Sequence, residues 1–373
     1  MRQRWGGAGL IALLALLGAA AQAQTQNPTP AAAAPPFSRD STYFAPDGTA
    51  YIQRIVPIPP SLSAQARDFL KAEAAPSSAR PPMSLEDSRR HEAQRVKRDG
   101  VLALRKYPAT LSEAVIAGVP VTVFRPKAGA GPVRPFVLIN VHGGAFIFDC
   151  CSEVESVPLA NLTRSEVISV GYRLAPEHPF PAAVDDVIAV YREVLKTHPA
   201  SAVAIYGTSS GAVITGEVAV ALKRRGLPEP GALGIFSGFG DFAMRTDTRA
   251  IFSLVGLGGA VSPQEPLAAV EHEYLGGADP TDPRVSPIRG DLSGLPPTLF
   301  LTGTRDAFLS GVSLFERAMI RAGDDPQLVV FEGLPHAFWV EPDLPEADEA
   351  DRIMARFFLK HLRAGAKAGP ARP

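Results

Sequence analysis

The residues best suited to chemistry sit in short loops between apolar runs. Gly207-Thr208-Ser209-Ser210-Gly211 places a serine between two glycines in the pattern G-x-S-x-G. The run 202–206 before it reads as a strand, and helical spacing follows from Ala212. Such a strand–turn–helix setting pushes the middle serine out at the strand end, and the small flanking residues let neighbouring backbone pass close by. A serine hydroxyl needs a base to take its proton and a carboxylate to orient that base. Asp306, in Gly303-Thr304-Arg305-Asp306, follows a strand-like run at 298–302. His336 follows another at 328–331. Ser209, Asp306 and His336, each after a later strand, are in the order expected of a nucleophilic triad built along a sheet. Glu332 is the competing carboxylate, but it lies too close to His336 in sequence to sit beneath the ring.

Acyl transfer through a serine also creates an oxyanion that requires donors. His142-Gly143-Gly144-Ala145 follows the apolar run 135–141. Backbone N–H groups of this loop, with that of Ser210 after the nucleophile, would form an oxyanion hole. Residues without large side chains allow the backbone to approach the substrate.

These loops need a scaffold. The chain has 373 residues, 46% hydrophobic and 20% charged, enough for a large core. Strand-like runs at 121–124, 135–141, 167–170, 203–206, 234–236, 298–302 and 328–331 alternate with helical spacing at 182–195, 212–225, 312–322 and 347–362. That alternation predicts an α/β fold with a mostly parallel sheet and helices on both faces. Two regions break the rhythm. Residues 61–75 and 84–99 have helical spacing, the second strongly charged and expected to be exposed, while 238–295 holds helical and Pro/Gly-rich pieces but no clear buried strand. Together they are expected to form a helical cap over the sheet.

At this point the chain resembles the hormone-sensitive-lipase-like branch of the α/β hydrolases, the bacterial family IV esterases. The resemblance rests on His142-Gly143-Gly144-Ala145-Phe146, on Tyr172-Arg173-Leu174-Ala175-Pro176-Glu177-His178-Pro179-Phe180-Pro181-Ala182, on the Ser209 elbow and on the Asp306 and His336 loops, and covers about residues 60–362. It implies an α/β-hydrolase domain over 61–373 with a helical cap from about 61–99 and 238–295. It implies a serine carboxylesterase acting on short- to medium-chain esters, without cofactor or metal. By position, Ser209 is nucleophile, His336 base and Asp306 acid. Gly144, Ala145 and Ser210 are the hole donors with Gly143 beside them, and His142 and the 172–182 segment are structural. The chain departs from the pattern at Ala145, where a third glycine is usual and positive φ becomes costly, and at Thr208 and Ser210, where Asp and Ala are common. A lactone hydrolase with the same triad, a serine peptidase, and a non-catalytic binding protein on this fold are the competing readings.

The N-terminus reads as an address. Arg2 and Arg4, the apolar run 10–17 and Ala21-Gln22-Ala23 have the order of a secretory signal peptide, with an apolar core too short for a comfortable membrane span. Cleavage after Ala23 would send the protein to the periplasm or outside the cell, with no stable membrane insertion. Residues 24–60 read as a Pro/Ala-rich tether. The two cysteines, Cys150 and Cys151, exclude a disulfide scaffold; unpaired, partly buried thiols are expected ahead of the alternative, a strained vicinal bridge. A net charge of −1 gives no one-signed field for nucleic acid; the resemblance implies a small-molecule ester as the partner. Turnover is expected to be indifferent to EDTA, because hole donors do the electrostatic work a metal ion would do; loss in EDTA restored by zinc would overturn this.

Overall fold

Val137-Leu138-Ile139-Asn140-Val141 is buried at every position. Val137, Ile139 and Val141 join one apolar core and Leu138 joins another. Side chains alternate across a strand, so a continuous apolar run supplies both faces of a sheet that is covered on both sides. Val203 and Ile205 against Ala204 and Tyr206, and Phe300 against Leu299 and Leu301, divide in the same way.

The computed structural model describes residues 40–74, 83–129, 131–258 and 266–364. In chain order the elements are β1 (Ser41–Phe44), β2 (Ala50–Gln53), α1 (Ala64–Glu73), α2 (Leu85–Lys106), β3 (Ala109–Ile116), β4 (Val119–Pro126), β5 (Val137–Val141), α3 (Ser152–Thr163), β6 (Glu166–Val170), α4 (Ala182–Val194), β7 (Val203–Thr208), α5 (Ser210–Arg224), β8 (Ala232–Phe236), α6 (Asp247–Ile251), α7 (Pro266–Leu275), β9 (Thr298–Gly303), α8 (Leu309–Ala322), β10 (Gln327–Phe331) and α9 (Pro345–His361). The main sheet has 8 strands in the order β10-β9-β8-β7-β5-β6-β4-β3. From β10 to β6 all pairings are parallel, and β4 joins β6, and β3 joins β4, antiparallel. Helices α4, α5 and α8 contribute to one core, and α3 and α9 to the other. This is the expected α/β architecture.

Several sequence expectations change. The signal segment 1–23 and the tether as far as residue 39 lie outside the described residues. The rest of the tether, 40–60, contains the antiparallel pair β1–β2, in which Tyr43 faces Tyr51. Asp47-Gly48 forms its turn: the Asp47 carboxylate accepts from Thr49 N–H at 2.9 Å, and Gly48 takes φ 88°. The charged helix expected to stop at Asp99 continues as α2 to Lys106, because Gly100 serves there as a close contact and not as a stop. A Cβ at Gly100 would lie 2.9 Å from Cβ of Glu153. One face of that helix is buried through Glu92, Val96 and Ala103. Helix α1 is fixed at its start by Ser63, whose hydroxyl accepts from Ala66 N–H and donates to Glu346 at the start of α9 at 2.8 Å. The 238–295 stretch carries α6 and α7 and, among its described residues, no strand of the main sheet. Among the described residues no helix is long and apolar enough to cross a membrane.

The centre of the sheet is set by a backbone crossing. A Cβ at Gly211, in the first turn of α5, would lie 1.9 Å from the Val141 carbonyl oxygen at the end of β5, and one at Gly207 would lie 2.5 Å from the same atom. Both glycines of the G-x-S-x-G run are therefore steric requirements. Gly211→Ala should remove most of the few kcal/mol of net stability such a fold possesses. The expected result is loss of soluble protein, or a steep fall in urea midpoint; a variant with native midpoint would show that helix and strand can separate freely.

Candidate active site

Ser209, Asp306 and His336 converge at the carboxyl ends of β7, β9 and β10, where loops of an open parallel sheet bring distant segments together. Ser209 sits between β7 and α5 at φ 59°, ψ −123°, a backbone state that L residues rarely adopt. Its N–H donates to Phe236 O at 2.9 Å, and its carbonyl accepts from Ala212 and Val213. The turn is thus tied to β8 on one side and to its own helix on the other. His336 Nε2 lies 2.9 Å from Ser209 Oγ, and His336 Nδ1 lies 3.1 Å from Asp306 Oδ1. Asp306 is fully buried and His336 nearly so, while Ser209 keeps partial exposure. Glu332 is exposed and has no hydrogen bond to the ring.

The Asp306 carboxylate has an internal shell of donors. Thr302 donates to Oδ2 at 2.7 Å, Ser237 donates to the same oxygen, and Phe308 N–H donates to Oδ1 at 2.9 Å. Burial alone would raise this carboxyl, but the adjacent His336 ring and these donors outweigh it and hold the group below the ordinary carboxylate range. The Asp306 and His336 loops are also bonded to one another: Arg305 N–H donates to Leu334 O at 3.1 Å and Gly333 N–H to Thr304 Oγ1 at 2.7 Å. A Cβ at Gly303 would lie 2.1 Å from Leu334 O, which explains the glycine opening the Asp306 loop. Thr208 accepts from Trp339 Nε1 at 3.2 Å, fixing the segment after His336 to the elbow. The Phe308 ring meets the His336 ring edge-on, 5.0 Å between centroids. A cleft beside it is lined by Phe239, Met244, Ile288, Phe308 and Leu314 together with the polar Asp241, Thr246 and Arg249.

The expected oxyanion loop divides by direction. Gly143 N–H is directed to Glu155 Oε1 at 3.4 Å, away from the hole. The N–H groups of Gly144, Ala145 and Ser210 donate to no acceptor among the described residues. Gly144 takes φ 126°, Ala145 φ 53° and Phe146 φ 66°. His142 is buried, with Nδ1 2.8 Å from Gly143 O and its ring stacked 4.3 Å from Tyr172, whose hydroxyl donates to His142 O. No hydrogen bond or ring stacking joins it to Ser209 or His336 among the described residues. Glu155 accepts from Asn140 Nδ2 at 2.7 Å, and burial pushes its carboxyl up to about 8.

Other parts of the support were not visible in sequence. Arg89 on α2 donates to Ile147 O and Ala175 O, both at 2.9 Å, and pairs with both oxygens of Glu177. Arg95 donates to Cys150 O at 2.7 Å. Two arginines from one helix therefore fasten the segment that follows the oxyanion loop. Ser237 and Arg89 carried no local signal, since each acts across a long sequence separation, whereas Thr302 lies only four residues before Asp306. The cysteines differ from expectation: Cys150 and Cys151 are joined as a vicinal disulfide, with Cα atoms 3.8 Å apart. The turn entering α3 directs both sulfurs toward Gly143, where a Cβ would meet them at 3.3 and 3.0 Å. Among the described residues no group of histidine, cysteine and carboxylate side chains is placed to hold a metal ion.

With this geometry established, comparison places the chain among known proteins. A family described as having the alpha/beta hydrolase fold matches residues 138–340. An acetyl-hydrolase of Streptomyces hygroscopicus is 32% identical over 241 residues, covering 62% of this chain and 77% of its own. An ethyl acetate hydrolase of Pseudomonas putida is 27% identical over 254 residues, covering 65% and 79%. Among solved structures, an esterase named E25 superposes with a TM-score of 0.73 at 30% identity, covering 83% of this chain and 98% of that one. A hormone-sensitive lipase from a metagenome library gives 0.70 at 28% identity, covering 80% and 98%. The chain belongs to the α/β-hydrolase family, in its hormone-sensitive-lipase-like branch.

The Asp306 shift has a sign that can be tested. A carboxyl held below its unfolded value contributes stability that is fully present above the ordinary carboxylate range and is lost as pH falls through it. The difference in urea-unfolding free energy between native protein and Asp306→Asn should change progressively, against the native protein, as pH falls below about 4. A difference independent of pH across this range would remove the assigned shift.

Proposed function

We propose that this protein is an exported carboxylic ester hydrolase that cleaves short- to medium-chain esters through Ser209, His336 and Asp306. The observation carrying this reading is the single line of contacts from Ser209 Oγ through both nitrogens of His336 to Asp306. Esterase and acetyl-hydrolase relatives support the reaction class, and the acetyl-hydrolase and ethyl acetate hydrolase among them support a small acyl group. The order of charges, apolar run and small residues in 1–23 supports export to the periplasm or beyond.

In this mechanism Ser209 Oγ attacks the ester carbonyl carbon while His336 Nε2 takes its proton. Asp306 holds the Nδ1–H tautomer and stabilises the imidazolium as it forms. The carbonyl oxygen becomes an oxyanion facing the Gly144, Ala145 and Ser210 N–H groups, whose orientation is fixed before the reaction and so requires no solvent reorganisation. Collapse of the tetrahedral intermediate breaks the bond to the alkoxide, which receives the proton from His336. Water, deprotonated by His336, then attacks the acyl-enzyme, and Ser209 recovers its proton. The helices at 64–106 and the 238–295 segment serve as the cap, limiting the acyl length that fits.

A panel of p-nitrophenyl esters from acetate to palmitate, with lactones of matching size, tests the reading. Turnover should be highest between acetate and hexanoate, and Ser209→Ala should reduce it by at least ~10³-fold without unfolding the protein. Asp306→Asn should reduce it on the order of 10⁴-fold, whereas Glu332→Gln should have little effect. Activity surviving Ser209→Ala, or preference for palmitate, would overturn the assignment; lactone turnover exceeding every ester would move it to lactone hydrolysis. N-terminal sequencing of exported protein should begin at Gln24.

A further inference from the structure

The oxyanion loop is held by an unusual outside contact. Ala145 and Phe146 are consecutive non-glycine residues with positive φ, 53° and 66°. L side chains resist that region, so the conformation persists only if surrounding groups fix it. Phe146 is buried, and its ring stacks on Tyr274 of α7 with centroids 3.9 Å apart and planes 17° apart. Phe242 flanks both rings, at 6.0 Å from Phe146 and 5.9 Å from Tyr274.

The far end of Tyr274 is also fixed. Its hydroxyl donates to the Glu217 carboxyl on α5, the helix that begins with Ser210. Glu217 and Tyr274 are both buried, and the other Glu217 oxygen has no hydrogen-bond partner. Burial raises this carboxyl above its ordinary range, against the hydrogen bond from Tyr274, which lowers it. The Tyr274 backbone is bound as well, its carbonyl accepting from Phe180 N–H at 2.7 Å. Tyr274 thus spans two segments: α5, which presents Ser210 N–H, and the loop, which presents Gly144 and Ala145 N–H.

We propose that Tyr274, anchored by Glu217, is a positioning residue that sets the separation between the two halves of the oxyanion hole by holding Phe146. The proposal rests on the serine esterase reading above. Hole donors act on the charge that develops in the transition state and little on the bound ester. A displaced loop therefore lowers kcat while KM stays nearly constant, whereas a purely structural contact would change the amount of folded enzyme but not its turnover.

The test uses the full chain with p-nitrophenyl acetate and an alkyl trifluoromethyl ketone, whose adduct with a serine carries an oxyanion in the hole. Folded sites are counted by organophosphate titration. Tyr274→Leu should lower kcat per titrated site by ~10- to 100-fold with KM within about threefold, and raise the ketone inhibition constant by a matching factor. Tyr274→Phe, which keeps the stacked ring but cuts the tie to Glu217, should fall between the native enzyme and Tyr274→Leu in kcat per titrated site and in ketone affinity. Phe146→Leu gives the same comparison from the loop side and decides the matter if Tyr274→Leu does not fold. Unchanged kcat and ketone affinity per site in these variants would overturn the proposal and leave the esterase reading intact. A native enzyme with neither turnover nor labelling at Ser209 would overturn both.

Discussion

The site depends on one close backbone contact, where the end of β5 meets the first turn of α5. Because Gly207 and Gly211 lack side chains, the Val141 carbonyl comes within the distance a Cβ would need. That approach places the loop after β5 beside the turn after β7. In the proposed site Gly144 and Ala145 N–H would face the same carbonyl oxygen as Ser210 N–H, beside the Ser209 hydroxyl. The strained Ser209 conformation belongs to the same constraint, since a relaxed turn would not project the side chain away from both strand and helix. Hydrogen bonds to Phe236 and from Ala212 and Val213 determine the turn from several sides, so the strain is held by structure that is stable for other reasons.

Beneath the reacting groups lie buried carboxyls in contrasting states. Asp306 has hydroxyl and N–H donors and a histidine beside it, which keep it ionised despite burial. Glu155 and Glu217 have no comparable cation, and burial dominates, raising both. The difference follows from partners and not from depth, because all of them are inside the protein. It also separates their roles. In the proposed mechanism Asp306, with its pKa lowered, stabilises the cation that would form on His336, while Glu217 holds Tyr274 from α5.

The parts legible in sequence were those with a strong local pattern. Apolar runs such as 137–141 and 203–206 identified the central strands because burial on both faces removes polar positions. Ser209 and Asp306 were legible because each follows such a strand, and His336 because it follows the apolar but half-exposed edge strand β10. Helix α3 escaped for the reason that made the strands clear. Its residues from Ser152 to Ala160 are buried almost throughout, except Glu153, so it has no amphipathic period, and Pro158 argues against a helix. The edge strand β3, Ala109–Ile116, is largely exposed and lacks an apolar run. The tether hairpin and the vicinal disulfide depended on turn geometry, which spacing alone did not reveal. The Arg89 and Tyr274 contacts link residues too far apart in the chain for any local pattern to show them.

The oxyanion loop shows which departures from a glycine-rich pattern a site of this kind tolerates. Gly144 and Ala145 both have positive φ, but they differ in surroundings. A Cβ at Gly144 would lie 2.1 Å from Phe148 O, inside any possible contact distance. At Ala145 the cost is conformational, on the order of 1–2 kcal/mol for an L residue in the left-handed region. Phe146 carries a similar cost, and its stack on Tyr274 and the bond its carbonyl accepts from Ala175 N–H at 3.0 Å offset part of the two. A steric requirement for glycine is absolute at a backbone crossing, whereas a conformational one can be transferred to neighbours. The alanine at 145 is therefore compatible with the same backbone path, provided that the segment after it is held from outside, and the aromatic contact from the 238–295 region supplies that hold.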